Sequence, residues 1–513
     1  MGKFGMTSKT ISTVGLMMAI TLTGKLMGIL RDSMQAMYFG TYSAEGIAFM
    51  QASILPRVFL DITFASVFSA SFIPVFNKYL ETQGKQAAFD LAARFIRLIL
   101  LGTVCATIIA VIFSDPIYSI FLDGEALAAD VRPLGVQLLR VMFPIIIISS
   151  MAFSLTGILQ SLGQFYIPAA MSIASNGVIL LYYFFFIDHF GVYGLAVAFL
   201  LGWACQVLIQ IPFLRKHKFS IFAKGGGSLR DIGQLAIPVM VASWLSPVNF
   251  LVNTRASVNL YNGEHGFVAI SFAHSLFTVI TGVLVLSVSN VLFPTLSKFA
   301  ANNNWEEYTA FLRSSLRGLL FLLIPMTFGL MAVAQPLVSL VFEGGRFHAT
   351  SVEITATALF FFSMGIVGFG LQVIFSRACF ALQDGKGPLV TAIIAMMVNL
   401  VLSFTLASEM EIAGPALASA IAVSVAAIGL FIRLAKKLPE PLWTKDMTID
   451  AIKVLILAVA MYWLVTFLLV NTFMVLAIIV GAAIYFAGAL IFGVIEAKIT
   501  VKWIMGKIPR RQG

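Results

Sequence analysis

Apolar segments of transmembrane length recur along this chain, separated by short polar loops. A helix that crosses the hydrocarbon core of a bilayer needs about 20 mainly apolar residues, and we count about fourteen such segments. They lie near residues 11–38, 47–76, 92–113, 135–159, 166–187, 191–214, 233–258, 267–296, 314–334, 354–380, 388–408, 412–434, 449–470 and 472–495. The pattern predicts an all-α polytopic membrane protein with about 14 transmembrane helices. The first segment is too long for a cleavable signal peptide.

The first apolar segment carries ionisable side chains in its interior. Successive residues of an α-helix are rotated by about 100°, so Lys25, Gly28, Arg31, Asp32 and Gln35 share one face. An ionised side chain at the centre of a bilayer costs roughly 2.5–3.5 kcal/mol on insertion scales. This polar stripe is therefore predicted to line a wet interior rather than to face lipid, and it is our first candidate site.

Composition and charge agree with this architecture. The chain is 60% hydrophobic and 11% charged, which excludes a soluble globular protein. A net charge of +10 suggests nucleic acid at first, but the basic residues are concentrated in alternate loops. That distribution is typical of membrane topology, and it predicts cytoplasmic N and C termini and no nucleic-acid partner. Some attraction to anionic membrane lipids is also expected.

The sequence matches itself at an offset of 220 residues, without gaps over a long stretch. The matched pairs include Pro74 with Pro294, Lys78 with Lys298, Arg97 with Arg317, Pro116 with Pro336, Ser119 with Ser339, Pro168 with Pro388, Gly194 with Gly414 and Lys216 with Lys436. We expect two six-helix lobes, residues 1–220 and 221–440, with a substrate cavity between them. Residues 441–513 add two further helices and a basic cytoplasmic tail. The glycines of 225–227 form either an inter-lobe linker or only a flexible loop.

Further charges lie within the second and seventh apolar segments. Arg57 and Asp61 stand one helical turn apart, so they either pair with each other or face a cavity. Arg255 follows Asn253 and Thr254, and it is either a cavity cation or a side chain that extends to the membrane interface.

The eighth segment contains His274 and Ser275, a weaker candidate because a lone histidine is commonly a packing residue. The candidate residues together carry more cations than anions, which suits an anionic substrate group. Arginine in particular binds phosphate oxygens through paired donors. A cationic-drug exporter is expected to show the opposite charge.

Signatures of enzymes are absent from the sequence. It contains no GxxxxGK[ST] or HExxH motif, and its cysteines and histidines show no spacing that predicts a metal site. We therefore expect a transporter that is not an enzyme and has no cofactor. Its energy would come from a gradient, the membrane potential or a downstream sink, with the identity of any coupling cation open. Asp384 in LQDGKGP is either a turn residue or a ligand of such a cation.

Several segments of the chain form a distinctive series: GKLMGILRD, ILPRVF, FSASFIPVFNKY, LFPTLSK, LVFEGGRF and RACFALQDGKGP. They resemble the MurJ (MviN) family of lipid II flippases, which belongs to the multidrug/oligosaccharidyl-lipid/polysaccharide exporter superfamily. The resemblance covers nearly the whole chain. It implies a V-shaped pair of six-helix lobes, with helices thirteen and fourteen flanking a groove for the lipid tail. It also implies a bacterial plasma-membrane protein of peptidoglycan biosynthesis, with cell-wall polymerases as possible partners.

The cargo that the resemblance implies is undecaprenyl-pyrophosphate-linked disaccharide-pentapeptide, moved from the cytoplasmic to the outer leaflet by alternating access. In the family, arginines of spans one, two and eight contact the pyrophosphate region. Arg31 and Asp32 match the family directly, and Lys25 takes the place of the first arginine of span one.

This chain departs from the family pattern at two places. The arginine of span two aligns with Leu60, and Arg57 lies three residues earlier on nearly the same face. The Asp-Arg pair of span eight appears as His274-Ser275, for which Arg255 is the candidate substitute. The predicted substrate-binding residues are Lys25, Arg31, Asp32, Arg57, Asp61, Arg255, His274 and Ser275.

A lipid II flippase is thus the leading hypothesis. Within transport, the alternatives are a flippase for another polyprenyl-linked glycan and a drug antiporter of the same superfamily. A different class is a non-transporting scaffold of the envelope-synthesis machinery. Replacing Arg31 separates these hypotheses, because a scaffold should tolerate the change.

Overall fold

The computed structural model describes residues 8–67, 71–122, 130–223, 226–230, 232–233, 250–258, 260 and 266–507. Side chains are not described for 8–18, 57–67, 502–507 and several positions between 283 and 294. The chain divides into two compact units. The first comprises Met1–Leu251, Tyr261–Val268 and Val341–His348, and the second comprises Val252–Leu260, Ala269–Leu340 and Ala349–Gly513.

The described residues before 220 form ten helices. They are α1 (Ser8–Phe39), α2 (Ala44–Val67), α3 (Ile73–Thr82), α4 (Lys85–Ile112), α5 (Ser114–Phe121), α6 (Val131–Met142), α7 (Ile145–Ser161), α8 (Tyr166–Phe185), α9 (Ile187–Leu208) and α10 (Ile211–Lys216).

Among the described residues after 220, ten further helical segments contain six residues or more. They are α11 (250–257), α12 (Gly266–Ala301), α13 (Trp305–Phe342), α14 (Ala349–Ser363), α15 (Ile366–Ala381), α16 (Lys386–Met410), α17 (Ala413–Lys437), α18 (Lys445–Leu469), α19 (Met474–Ile491) and α20 (Ile495–Lys507). Within the described ranges the only β-type pairing is an isolated bridge between Gly344 and Phe347. The prediction of an all-α chain is confirmed.

Nine helical spans among the described residues are long and apolar enough to cross a membrane. The count is ten if α14 and α15, which meet at a 45° bend, form one span. In two of the nine, α6 runs on into α7 and α9 into α10. The multi-pass prediction is thus confirmed, while the total of 14 helices stays a prediction.

Small residues let helices of the second unit pack closely. A Cβ atom on Gly414, at the start of α17, would lie 2.4 Å from the carbonyl oxygen of Leu406 in α16. At Gly365, beside the bend between α14 and α15, it would lie 2.9 Å from the Cα atom of Ala420 in α17. Since lipid tails are as apolar as leucine, helices in a bilayer associate through such close packing rather than through the hydrophobic effect.

Large apolar side chains cover outward faces of both units. Leu101 and Ile112 of α4, and Trp463 and Phe467 of α18, are all mostly exposed. Such surfaces would aggregate in water, but they match the hydrocarbon of a bilayer. The exposed surface therefore supports the membrane-spanning assignment independently of helix length.

The glycine segment that follows α10 is partly fixed to the first unit. Gly225 lies outside the described residues. The amide of Gly226 donates to the carbonyl oxygen of Asp90 (3.2 Å), and Nη1 of Arg94 donates to the carbonyl oxygen of Gly227 (2.9 Å). Gly227 has a φ of 74°, which an L side chain rarely adopts. The described part of the glycine segment is therefore anchored on α4. The role of the segment as an inter-lobe linker stays a prediction.

Candidate functional site

The polar stripe of α1 contains an ion pair between neighbouring residues. Nε and Nη2 of Arg31 donate to Oδ1 of Asp32 at 3.0 and 2.7 Å. Only 15% of the Arg31 side chain and 14% of the Asp32 side chain are exposed. Water therefore screens this pair poorly, and each charge depends on the other for its stability in the unit.

Helices α8 and α9 position the guanidinium of Arg31. Its Nη1 donates to Oδ1 of Asn176 at 3.0 Å. The amide nitrogen of Asn176 in turn donates to the carbonyl oxygen of Gly24 (3.1 Å) and to Oγ of Ser172 (3.2 Å). The guanidinium carbon also lies 5.7 Å from the ring centroid of Phe199 in α9, within cation–π range. Arg31 is thus held by an acid, an amide and an aromatic ring.

The packing of α1 on α8 explains how this arrangement forms. At Gly24 an added Cβ would lie 3.0 Å from Cβ of Ser172, so the helices touch where α1 lacks a side chain. The close approach brings the carbonyl oxygen of Gly24 within reach of Asn176. Because Ser172 and Asn176 are four residues apart, both face α1. We call Arg31, Asp32 and Asn176 the charged cluster.

Beside the charged cluster lies a cavity of about 490 Å³. Arg31 forms part of its wall, and the remaining lining comes from α7, α8, α9 and the turn before α8. The lining mixes amide and hydroxyl side chains with aromatic rings. Its size lies within the range of about 300–1,000 Å³ that is usual for small-molecule sites.

The second unit contains a polar cluster without charge. Oδ1 of Asn253 accepts from Nδ2 of Asn399 (2.8 Å) and from Oγ of Ser403 (2.9 Å), and its Nδ2 donates to Oγ of Ser419 (2.5 Å). Asn253 is 5% exposed, and Asn399 and Ser403 are fully buried. We call these four residues the neutral cluster.

Sequence reasoning missed most of the neutral cluster. Asn253 drew notice beside Arg255, but Asn399, Ser403 and Ser419 did not. The usable signal was the four-residue spacing of Asn399 and Ser403 within an apolar helix, which repeats that of Ser172 and Asn176.

The other predicted residues occupy less defined surroundings. Lys25 is half-buried on α1, less than two helical turns before Arg31. The side chains of Arg57 and Asp61, like that of Leu60, lie outside the described residues, although α2 itself is described. Arg255 is half-buried in α11. The structure therefore brings Arg31 and Asp32 together in the first unit, and the substrate roles of all eight residues stay predictions.

His274 and Ser275 lie on α12 in the second unit. The His274 ring lies 5.7 Å from the ring of Phe362 and 6.5 Å from that of Phe277, measured between centroids. Phe277 also packs against Phe369 at 6.0 Å. This aromatic surrounding favours the packing interpretation of His274.

Asp384 is enclosed by the protein's own cations. Its carboxylate accepts from Nε of Arg433 (2.5 Å), Nζ of Lys437 (2.7 Å) and the amide of Gly387 (3.1 Å), and its side chain is 4% exposed. The hydrogen bond from Arg433 is the largest of the effects that hold the pKa of Asp384 well below its usual range. Two protein cations already neutralise the carboxylate, so the geometry favours the turn interpretation over a coupling-cation ligand.

The comparisons with solved structures show the fold. The structure matches "Lipid II flippase MurJ, inward closed conformation" with a TM-score of 0.78 at 21% identity, covering 93% of this chain and 98% of that chain. It also matches an inward-facing multidrug resistance MATE family transporter of the MOP superfamily with a TM-score of 0.71 at 15% identity, covering 82% and 97%. The chain therefore shares the fold of these two proteins.

The family model described as "Lipid II flippase MurJ" matches residues 35–495, and the chain belongs to this family. The "Probable lipid II flippase MurJ" of Buchnera aphidicola subsp. Schizaphis graminum is 29% identical over 424 residues, covering 81% of this chain and 80% of the relative. The "Lipid II flippase MurJ" of Burkholderia cenocepacia is 26% identical over 461 residues, covering 86% and 88%. The resemblance seen in the sequence is confirmed.

Proposed function

We propose that this chain is a lipid II flippase of the bacterial plasma membrane. It moves the undecaprenyl-pyrophosphate-linked precursor of peptidoglycan from the cytoplasmic to the outer leaflet by alternating access. The observation that carries the proposal is Arg31, a largely buried arginine on a polar helix face in a chain of the MurJ family. We further propose about 14 membrane helices, cytoplasmic N and C termini, and a gradient or the membrane potential as the energy source.

Arg31 is suited to attract and release an anionic group. Asp32 and Asn176 fix the guanidinium, so little side-chain entropy is lost when a ligand binds. Asp32 also offsets part of its charge, which limits how tightly a pyrophosphate would be retained. A transporter needs this balance, because a cargo bound too tightly is not released. Lys25, Arg57 and Arg255 would add positive charge along the transport route.

Membership of the MurJ family favours lipid II over the other cargoes and roles considered above. A cationic-drug antiporter would also require a site of the opposite charge. A scaffold without transport would have no need for an ion pair at Arg31, where an apolar side chain would cost less. Cooperation with cell-wall polymerases is an expectation from the biology of the cargo.

Complementation tests this proposal. Cells depleted of their own lipid II flippase would receive wild type, Arg31→Ala, Arg57→Ala or Arg132→Ala. Arg132 forms an exposed pair with Asp115 at 3.3 Å, so it is a matched arginine outside the candidate site. We expect wild type and Arg132→Ala to restore growth, and Arg31→Ala and Arg57→Ala to fail at normal membrane levels. Failure of abundant wild type would refute the lipid II assignment, and rescue by Arg31→Ala would refute the role of the charged cluster.

A further inference from the structure

The described part of the cavity lining beside the charged cluster is mostly uncharged. Among the described side chains that line the cavity, Arg31 is the one ionised residue. Asp32 compensates the charge of Arg31 through two hydrogen bonds, and Asn176 takes a third donor. Away from Arg31, the described lining offers amide, hydroxyl and aromatic side chains. This part of the lining suits a polar, uncharged group that lies beside an anion held at Arg31.

The side-chain amide of Gln206, in the cavity lining, is available to bind a ligand. Gln206 of α9 is 8% exposed, and its side-chain amide makes no hydrogen bond with any described residue. The amide nitrogen and oxygen of Gln206 are not fully buried, so they are open to the cavity and can exchange water for a ligand. Gln206 can offer one acceptor and two donors to a ligand in the cavity.

Gln210 shows that the surrounding helices can satisfy a glutamine when its role is structural. It lies one helical turn after Gln206 and is fully buried. Its Nε2 donates to the carbonyl oxygens of Ala152 (3.2 Å) and Gln206 (2.9 Å), and its Oε1 accepts from Thr156 (3.3 Å). The two glutamines therefore differ in environment, and the unused one lines the cavity.

Aromatic rings supply an apolar surface in the cavity lining. The rings of Phe153 and Trp203 pack edge to face with their centroids 6.1 Å apart, and both line the cavity. Tryptophan offers a broad apolar face together with an indole N–H donor. Amides beside aromatic faces suit a sugar ring, whose C–H face is apolar and whose edge carries hydroxyl or acetamido groups.

We propose that this cavity binds an uncharged pyranose ring of the lipid-linked headgroup, with the ring against Trp203 and its polar substituents on Gln206. The proposal rests on the function proposed above and adds a subsite within the first unit. It assigns the sugar portion to the cavity and leaves the pyrophosphate to the cations of the transport route.

Binding measurements on the purified full-length chain in nanodiscs test the assignment. The probes are lipid II and undecaprenyl diphosphate, which share the lipid and the pyrophosphate but differ in the sugars and peptide. The variant Gln206→Met keeps the side-chain length and removes the amide. We expect about tenfold weaker binding of lipid II, equivalent to roughly 1.4 kcal/mol, and unchanged binding of undecaprenyl diphosphate. Trp203→Leu should show the same selectivity by removing the stacking surface.

Gln210→Met is the matched control. It should lower the thermal unfolding temperature, because three hydrogen bonds are lost, but leave lipid II affinity unchanged below that temperature. Gln206→Met should keep the wild-type unfolding temperature. Equal losses for both probes, or no loss for either variant, would overturn the sugar subsite. If wild type also fails to complement flippase-depleted cells, the proposed function itself fails, and the two results are thereby distinguished.

Discussion

The charged and neutral clusters are built on corresponding helices, but their surroundings differ. The charged cluster joins α1 to α8, and the neutral cluster joins α11 to α16. In each case the first helix belongs to the first predicted span of its repeat. The second helix begins near one of the matched prolines, Pro168 in α8 and Pro388 in α16. Each uses an asparagine of the latter helix, Asn176 or Asn399, as a central hydrogen-bonding group. The charged cluster adjoins a cavity. In the neutral cluster, Asn253, Asn399 and Ser403 are buried, Ser419 is half-buried, and the polar groups bind one another.

The difference separates binding from packing. A buried network whose donors and acceptors bind one another stabilises a fold but offers little to a ligand. An ion pair costs more to bury than a neutral network, so its presence needs another explanation. We assign cargo binding to the charged cluster and helix packing to the neutral cluster.

Replacing Arg31 alone should have the largest effect. Arg31→Ala leaves the Asp32 carboxylate largely buried without its cation, which typically costs about 3–5 kcal/mol. We expect a lower thermal unfolding temperature in detergent and complete loss of transport. Arg132→Ala, from an exposed pair, should change stability by at most about 1 kcal/mol. Equal behaviour of the two variants would show that Arg31 has no special environment.

Removing Asn253 should affect stability rather than transport. Asn253→Ala leaves the amide of Asn399 and the hydroxyl of Ser403 without their acceptor, and each unsatisfied buried group costs about 1–3 kcal/mol. The unfolding temperature should fall, while the flipping rate per folded molecule at a permissive temperature stays near that of wild type. A fully stable Asn253→Ala protein without transport would contradict the packing role.

Asp384 tests whether a charged group must also be accessible in order to take part in transport. Its carboxylate is charged, but Arg433 and Lys437 already pair with it and it is almost fully buried. Asp384→Asn should cost about 1–2 kcal/mol, a modest loss because Arg433 and Lys437 are more than a third exposed. The lowered pKa of Asp384 means that its stabilising contribution is present above about pH 4, its unfolded value, and is lost as pH falls below that value. The stability difference between wild type and variant should therefore be constant from pH 5.5 to 8, and transport should persist. Loss of transport without loss of stability would point to a coupling site.

Two glycines of α1 give the smallest expected effects. At Gly24 an added Cβ lies 3.0 Å from Cβ of Ser172, whereas at Gly28 its nearest neighbour is Nδ2 of Asn176 at 3.5 Å. Gly24→Ala should separate α1 from α8 slightly and weaken transport severalfold. Gly28→Ala makes an ordinary contact and gains about 1 kcal/mol of helix propensity, so it should leave transport near wild type. A larger loss of transport in Gly28→Ala than in Gly24→Ala would show that the close contact between α1 and α8 does not depend on Gly24.

Apolar periodicity predicted the helical, multi-pass fold because a bilayer imposes both length and hydropathy on every span. Arg31 and Asp32 were found for the same reason, since charge within an apolar span is conspicuous. Asn176, Asn399 and Gln206 were not found. Uncharged polar residues cost less in a helix, and their partners lie far away in the sequence, so their roles depend on packing that periodicity does not encode.

The most direct test of the division removes both members of the ion pair. Arg31→Met combined with Asp32→Leu leaves no uncompensated charge, so its stability should lie within about 1 kcal/mol of wild type or above it. The measurement is the fraction of lipid II that becomes accessible to an added lipid II-cleaving enzyme outside flippase-depleted cells. We expect a stable protein with no flipping above the depleted background. Flipping by the double variant at the wild-type rate would contradict the claim that the charged cluster binds cargo.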